Sequence, residues 1–217
     1  MQPLEEVIRV AAVAPQAGLQ GSTPILRRAE ESPQLPVRDG FAGETNREDD
    51  EASDIDRAVQ LFATGARNAL VAGFDGVEIH AAHGYLISQF VSPLTNHRTD
   101  EYGGTLERRM RFPVNIIRKV REAVGEKAIL SYRMNADEFV PEGVDISMGR
   151  EIARIIAQES VDLIHVSAGL YESFFNADIM APLHGRYGIY RHLAKGVKGE
   201  VSKPVIAVGK LDKPQLA

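Results

Sequence analysis

Short apolar runs alternate with amphipathic segments from Asp54 onward, and this alternation constrains the fold more than any other feature of the sequence. The apolar runs have the length of buried strands, and the segments between them repeat apolar residues at helical spacing. A repeated strand–helix–strand order predicts βαβ units and a parallel sheet. The predicted strands are 76–79, 128–134, 162–167 and 204–208, and the predicted helices are 54–73, 106–124, 147–159 and about 188–198.

Local chemistry predicts several helix boundaries. Asp54 and Ser147 stand where N-caps are needed, because a side-chain oxygen there accepts a hydrogen bond from a free backbone N–H group. Pro113 falls inside the pattern of the second helix and predicts either a kink or a later helix start. The basic cluster RRMR at 108–111 lies near the same helix start, and we expect it to form a solvated helix face.

The first 53 residues follow a different pattern. Val7–Val13 fits either a short helix or a fifth strand. The following residues, up to Ser53, are rich in Pro, Gly, Ser and Glu, which predicts a long irregular segment. We therefore divide the chain into an irregular or diverged N-terminal segment, 1–53, and a regular domain, 54–217.

Composition argues against several classes of function. The chain has no cysteine, so disulfides, thiolate–zinc sites and cysteine-ligated iron–sulfur clusters are excluded, and a cytoplasmic location is the default expectation. A net charge of −5 without a dense Lys/Arg patch argues against binding to nucleic acid or to an anionic membrane. The sequence holds no run of about 18 apolar residues, so no membrane span is expected.

Three side chains suited to catalysis, those of His80, His83 and Tyr85, follow a predicted strand directly. Parallel α/β folds carry their chemistry at the carboxyl ends of strands. Two imidazoles that donate to one oxygen stabilise the negative charge of an enolate or phenolate, and a tyrosine hydroxyl is a suitable general acid for a carbanion. The alternatives are a zinc-binding pair, two ordinary loop histidines, and a tyrosine that only packs.

Two residues on later strands are candidates for binding a cofactor. Arg133 lies within a predicted strand, where a buried guanidinium needs an anion or a carbonyl as its partner. A salt bridge to Asp137 or Glu138 is the alternative. Gly209 ends a later strand, and a glycine at such a point lets the backbone approach a phosphate closely.

Two further segments are expected to shape or support the site. Ser167–Gly169 ends a predicted strand and, with Tyr171, is a candidate for the substrate face. The polar loop Asn96–Gly104 is expected to be structural, with Arg98 and Asp100 bonded to each other or to the backbone rather than to a ligand.

The stretch Gly73–Phe112, GFDGVEIHAAHGYLISQFVSPLTNHRTDEYGGTLERRMRF, resembles the active-site block of the Old Yellow Enzyme family, the flavin-dependent ene-reductases. The resemblance implies a (β/α)8 TIM barrel of the flavin oxidoreductase type. It also implies FMN as cofactor, NAD(P)H as electron donor and a small-molecule enone or enoate as substrate.

The same resemblance implies a role for each candidate residue. His80 and His83 would bind the carbonyl oxygen of the substrate, and Tyr85 would deliver a proton to its α carbon. Arg133 would meet the pyrimidine edge of the flavin, and Gly209 would belong to a loop that binds the flavin phosphate.

The resemblance covers about residues 54–217, the equivalents of about strands 4–7 of the barrel. The first two strands, and the eighth with its Gly-Arg phosphate-binding pair, are not recognisable, so we expect a partial barrel. A second copy in a homo-oligomer, or a partner chain, would then complete it. The alternative is a fragment, or a truncated non-catalytic paralogue that binds no flavin by itself.

Overall fold

A parallel sheet of five strands organises the chain. The computed structural model describes residues 10–13, 49–170, 173 and 186–212. Every neighbouring pair of strands is parallel, and their order in the sheet is their order in the sequence. The strands are β1 (Val10–Val13), β2 (Gly76–Ala81), β3 (Ile129–Asn135), β4 (Leu163–Ser167) and β5 (Val205–Ala207).

Helices connect the strands, as the alternating pattern predicts. They are α1 (Asp49–Val71), α2 (Leu86–Val91), α3 (Leu106–Arg109), α4 (Arg111–Val124), α5 (Ile146–Ala157) and α6 (Arg191–Lys198). Sequential parallel strands joined through helices have the topology of a sector of a (β/α)8 barrel. Of the segment for which a helix or a strand was expected, Val10–Val13 forms the strand β1, and residues 7–9 lie outside the described residues.

The sheet has two chemically different faces, because successive residues of a strand point to opposite sides. One face is apolar and almost fully buried in the core shared with the helices: Val77, Ile79, Ala81, Leu130, Tyr132, Met134, Ile164 and Val166. The alternate positions form what we call the polar face: Glu78, His80, Ser131, Arg133, Asn135, His165 and Ser167. The candidate residues His80, Arg133 and Ser167 all lie on the polar face.

Two predicted helix caps are wrong. The helix α1 begins at Asp49, so Asp54 lies inside it, where its backbone is already helical. The N-cap of α5 is Asp145, whose carboxylate accepts a hydrogen bond from Met148 N at 2.8 Å. Ser147 instead lies in the first turn of that helix. Sequence spacing located both helices but missed the residue at which each begins.

The later helix start that Pro113 indicates is confirmed. The predicted helix 106–124 is two helices, α3 and α4, which meet at Met110. Pro113 lies in the first turn of α4, where a missing backbone N–H leaves no helical hydrogen bond unmade.

Candidate active site

The site begins at the carboxyl end of β2, where a tight turn joins this strand to α2. His83 and Gly84 both adopt positive φ, 61° and 80°, and the turn closes with a hydrogen bond from Tyr85 N to Ala82 O at 3.4 Å. The left-handed region costs glycine nothing and is tolerated by few other residues. The turn brings His83 and Tyr85 back toward His80 at the strand end.

The ring contacts show how close these side chains lie. The centroids of the His80 and His83 rings are 5.4 Å apart, with the rings nearly perpendicular. The ring of Tyr85 lies 5.1 Å from that of His80, and Tyr85 is 48% exposed, so its side chain is open to solvent. Two hydrogen-bonding imidazoles and a phenol thus lie close together at the carboxyl end of β2.

Strand register adds Arg133 to this group. His80 on β2 is the cross-strand partner of Arg133 on β3, and Arg133 is the partner of His165 on β4. One layer of the polar face therefore carries His80, Arg133 and His165 side by side, and directly opposed residues on neighbouring strands interact.

Ser167 joins the layer to the turn. Its Oγ lies 2.7 Å from His83 Nε2 and accepts a hydrogen bond from Arg133 Nη2 at 3.4 Å. The hydroxyl is buried and both donates and accepts, so it can satisfy the two groups at once. Ser167 therefore orients His83 and Arg133 relative to each other. Of the other residues expected on the substrate face, Tyr171 lies outside the described residues.

Charge and burial keep both histidines neutral. Burial, the charge of Arg133 and the neighbouring His80 lower the pKa of His83 to about 4. Burial and the charge of Arg133 also lower the pKa of His80, against an opposing pull from Glu78. At pH 7 each ring therefore carries one N–H and no charge. Such a pair can donate two hydrogen bonds to one oxygen and stabilise the charge that develops on it.

The sequence did not single out Glu78 and Ser131, which lie one layer below His80 and Arg133, or His165, which lies in the same layer as these two. The Glu78 Oε2 atom accepts hydrogen bonds from Ser131 Oγ at 2.7 Å and from His165 Nδ1 at 2.9 Å. Burial alone would raise the pKa of Glu78, but the hydrogen bonds from His165 and Ser131 hold it below its ordinary value. Glu78, Ser131 and His165 each precede a candidate residue (His80, Arg133 or Ser167) by two positions on its strand. This spacing of two, which puts them on the same face of the sheet, was the one sequence signal that could have identified them.

The donors of this site suit a ring with oxygen and nitrogen acceptors. Within the described part of the chain, Arg133 Nε and His80 Nδ1 are buried and have no hydrogen-bond partner. A buried donor left unsatisfied is costly, and a ligand that accepts from it removes the cost. The carbonyl and ring-nitrogen edge of a flavin offers such acceptors to Arg133. Among the described residues, no group of three or more His, Asp or Glu side chains is arranged to hold a metal ion.

Gly209 follows β5 by two residues and has a packing role of its own. Its φ is 102°, and a Cβ built on it would lie 2.8 Å from Ile189 Cγ2 and 3.0 Å from Tyr190 Cδ2. Its carbonyl accepts a hydrogen bond from Ile189 N at 3.1 Å. The close approach that requires glycine here is thus to the segment before α6, which accounts for the residue without a phosphate.

The polar loop is structural, as predicted. The Arg98 guanidinium pairs with the Asp100 carboxylate, and Arg98 N donates to Asn96 Oδ1 at 3.1 Å. Arg109 contradicts the expected solvated face of the RRMR cluster, because its side chain is buried and donates to Val91 O at 2.8 Å. Arg98 thus bonds within the loop, and Arg109, which also donates to Gly104 O, fastens the loop to the end of α2.

Comparison with known proteins gives a single family. The profile of the NADH:flavin oxidoreductase / NADH oxidase family matches residues 25–217. Over 201 residues the chain is 43% identical to the NADH oxidase of Thermoanaerobacter brockii, covering 93% of this chain and 30% of that protein. It is 34% identical over 179 residues to the cinnamate reductase of Clostridium sporogenes, covering 76% of this chain and 27% of that protein.

A solved structure matches as well. The Old Yellow Enzyme homologue from Zymomonas mobilis superimposes with a TM-score of 0.57 at 28% identity, over 77% of this chain and 45% of that chain. With the sequential parallel sheet, this confirms the predicted partial (β/α)8 barrel. The chain thus spans less than half the length of each of these relatives. No helix in the described residues is both long and apolar enough to cross a membrane.

Proposed function

This chain belongs to the NADH:flavin oxidoreductase / NADH oxidase family, and we propose that it is an FMN-dependent oxidoreductase or a part of one. The proposed reaction is the reduction of activated C=C bonds of α,β-unsaturated carbonyl compounds, with NAD(P)H as electron donor. One observation carries the proposal: the neutral rings of His80 and His83, 5.4 Å apart, lie beside Tyr85 at the carboxyl end of β2, and Arg133 lies in register with His80 on β3. A pair of neutral donors and a phenol match the two demands of conjugate reduction, which are to stabilise an enolate and to protonate it.

The histidine pair is the electrophilic part of the proposed site. His80 and His83 donate N–H groups to the carbonyl oxygen of the substrate, which draws electron density from the alkene and makes its β carbon electrophilic. As the C=C bond is reduced, negative charge builds up on that oxygen, and the two hydrogen bonds strengthen with it. Protonated imidazoles would bind anions more tightly in every state, so the lowered pKa values keep the response specific to the developing charge.

Tyr85 completes the reduction. Its hydroxyl is protonated at neutral pH and gives its proton to the α carbon, and solvent restores that proton because the side chain is exposed. Hydride at the β carbon and proton at the α carbon together convert the alkene to an alkane unit.

Arg133 and Gly209 are the residues proposed to hold the cofactor. The chemistry that bound FMN would supply is the transfer of hydride from NAD(P)H to the substrate. Arg133 would hold the pyrimidine edge of the flavin through its unpartnered Nε, with Ser167 fixing the guanidinium. Gly209 is the proposed contact for the phosphate. The name of the Clostridium sporogenes relative, cinnamate reductase, supports an unsaturated carboxylate as one type of substrate.

The test uses the chain loaded with FMN, with NADPH as donor and cyclohexenone as substrate. The double substitution His80→Ala and His83→Ala should lower enone turnover by about 100-fold or more, the usual cost of removing oxyanion donors. Tyr85→Phe should lower turnover by about 100-fold through loss of the proton donor. Reduction of the flavin by NADPH should persist in both variants, because it uses neither group.

A matched control is His192→Asn, which removes an exposed histidine in the first turn of α6. This variant should turn over the enone at the unaltered rate. Unchanged enone turnover in the double variant would remove His80 and His83 from the mechanism.

A further inference from the structure

The polar face carries an unbalanced set of charges. Among the described strand residues, Arg133 is its fixed cation, and His80 and His165 are its imidazoles. Glu78 is the one carboxylate on that face. A half-buried cation beside titratable imidazoles disfavours their protonation, and a carboxylate at similar range offsets this effect. The negative charge of Glu78 therefore acts on the layer above it, which holds His80, Arg133 and His165.

Glu78 is built into the sheet rather than placed at its surface. Its side chain is 15% exposed and that of His165 is 13% exposed. One oxygen, Oε2, accepts from both Ser131 Oγ and His165 Nδ1, at 2.7 Å and 2.9 Å, so the contact ties three neighbouring strands together. An ionised carboxylate only accepts hydrogen bonds, so the hydrogen of the second contact lies on His165 Nδ1. His165 Nε2 is then the ring atom left buried without a partner in the described structure.

We infer that Glu78 is a positioning residue that supplies the counter-charge of the site: its negative charge, and not its hydrogen bonds, partly offsets the effect of Arg133 on His80. Along β2 the side chains of Glu78 and His80 lie on the same face two residues apart. Arg133 lies beside His80 on β3, and His165 lies beyond Arg133 on β4. His83 adds an imidazole from the turn. Neither Ala12 of β1 nor Ile206 of β5, which lie in register with this group, carries a charge.

The single shared oxygen makes the inference testable. In Glu78→Gln, the amide oxygen can take the place of Oε2 and accept both hydrogen bonds, so the substitution removes the charge and keeps the contacts. Ser131→Ala does the reverse, because it removes one hydrogen bond and keeps the charge. Glu122→Gln makes the same chemical change at an exposed ion pair with Lys119 on α4, and controls for net charge.

The measurement is the pH titration of the His80 ring by NMR in the chain without cofactor, with the signal assigned through His80→Asn. Glu78→Gln should move the His80 midpoint to lower pH, because the opposing pull of the carboxylate is gone. Ser131→Ala and Glu122→Gln should leave the midpoint in place. An unmoved or raised midpoint in a folded Glu78→Gln variant, or an equal shift in Ser131→Ala, would overturn the inference.

A second variant guards against a Glu78→Gln chain that fails to fold. His165→Asn removes a neighbouring group whose charge lowers the proton affinity of His80, so its His80 midpoint should move to higher pH. A general loss of structure at the site would shift the His80 midpoint in the same direction in both variants. A shift of the His80 midpoint to lower pH in His165→Asn would contradict the electrostatic account.

The meaning of this balance for catalysis rests on the proposed function, but the titration does not. In the FMN-loaded chain, loss of the Glu78 charge should make the flavin midpoint potential more positive, because the reduced ring gains negative charge near Arg133. The two proposals can fail separately. If the His80 midpoint shifts as expected but the chain fails to bind FMN, the role of Glu78 is supported and only the proposed function is contradicted.

Discussion

Because His83 has a low proton affinity in the folded chain, the free energy of unfolding should depend on pH. The substitution His83→Asn should remove this part of the pH dependence. The ordinary pKa of a histidine is about 6.5, whereas His83 in the folded chain has a pKa of about 4. Between these two values the unfolded chain binds a proton at this site and the folded chain does not. Stability from this group is therefore fully present above pH 6.5 and is lost as the pH falls toward 4.

The size of the loss follows from the same values. The difference between 6.5 and about 4 corresponds to about 3 kcal/mol, at about 1.4 kcal/mol per pKa unit. Because the imidazole is only half-buried, solvent screens part of this interaction, and we take roughly half, about 1–2 kcal/mol. Asparagine is the substitution of choice at His83, because it does not titrate and tolerates the positive φ of 61°.

The assay is urea unfolding at pH 7 and at pH 4.5, followed by circular dichroism. The unaltered chain should lose about 1–2 kcal/mol more of its unfolding free energy between these pH values than His83→Asn does. All other titrating groups are common to both proteins and cancel in the comparison. The exposed His192→Asn serves as control and should lose as much as the unaltered chain. An equal loss in His83→Asn and the unaltered chain would refute the reasoning.

Five further substitutions, two of them as references, test a hydrogen bond, a close packing contact and a helix cap. Ser167→Ala should lower the unfolding free energy by about 1–2 kcal/mol, because it leaves hydrogen-bonding groups of His83 and Arg133 without their partner; an unchanged free energy in urea unfolding would argue against a role for Ser167 in linking the two. Gly209→Ala should cost more than Gly73→Ala, since both have positive φ but only at Gly209 does a Cβ meet neighbours; equal midpoints in thermal unfolding would argue against the packing account. Asp145→Ala should cost about 1 kcal/mol through loss of a helix cap, whereas Asp54→Ala should cost little; the reverse order in urea unfolding would contradict the observed helix starts.

The periodic parts of the fold were predictable from sequence. Strand β2 and helix α4 carry apolar residues at spacings of two and of three to four, because one side of each must face the core. Helix starts were less predictable, since Asp54, Ser147 and Asp145 are all residue types that cap helices. Which of them does so depends on the backbone of the connection before the helix.

The site was predictable where one short segment forms it. His80, His83 and Tyr85 are close in sequence, and the turn between them keeps them close in space. Glu78 and His165 are 87 residues apart, and they meet because of the register between β2, β3 and β4. A shift of one residue in register moves every side chain to the opposite face, so sequence alone did not pair them.

We propose that this chain carries a flavin site formed around Arg133 and the histidine pair. The most direct measurement is the visible absorption spectrum of the purified chain after incubation with FMN and gel filtration. We predict that the protein peak keeps the flavin band, and that Arg133→Gln retains less of it. A colourless protein peak from the unaltered chain would contradict the claim.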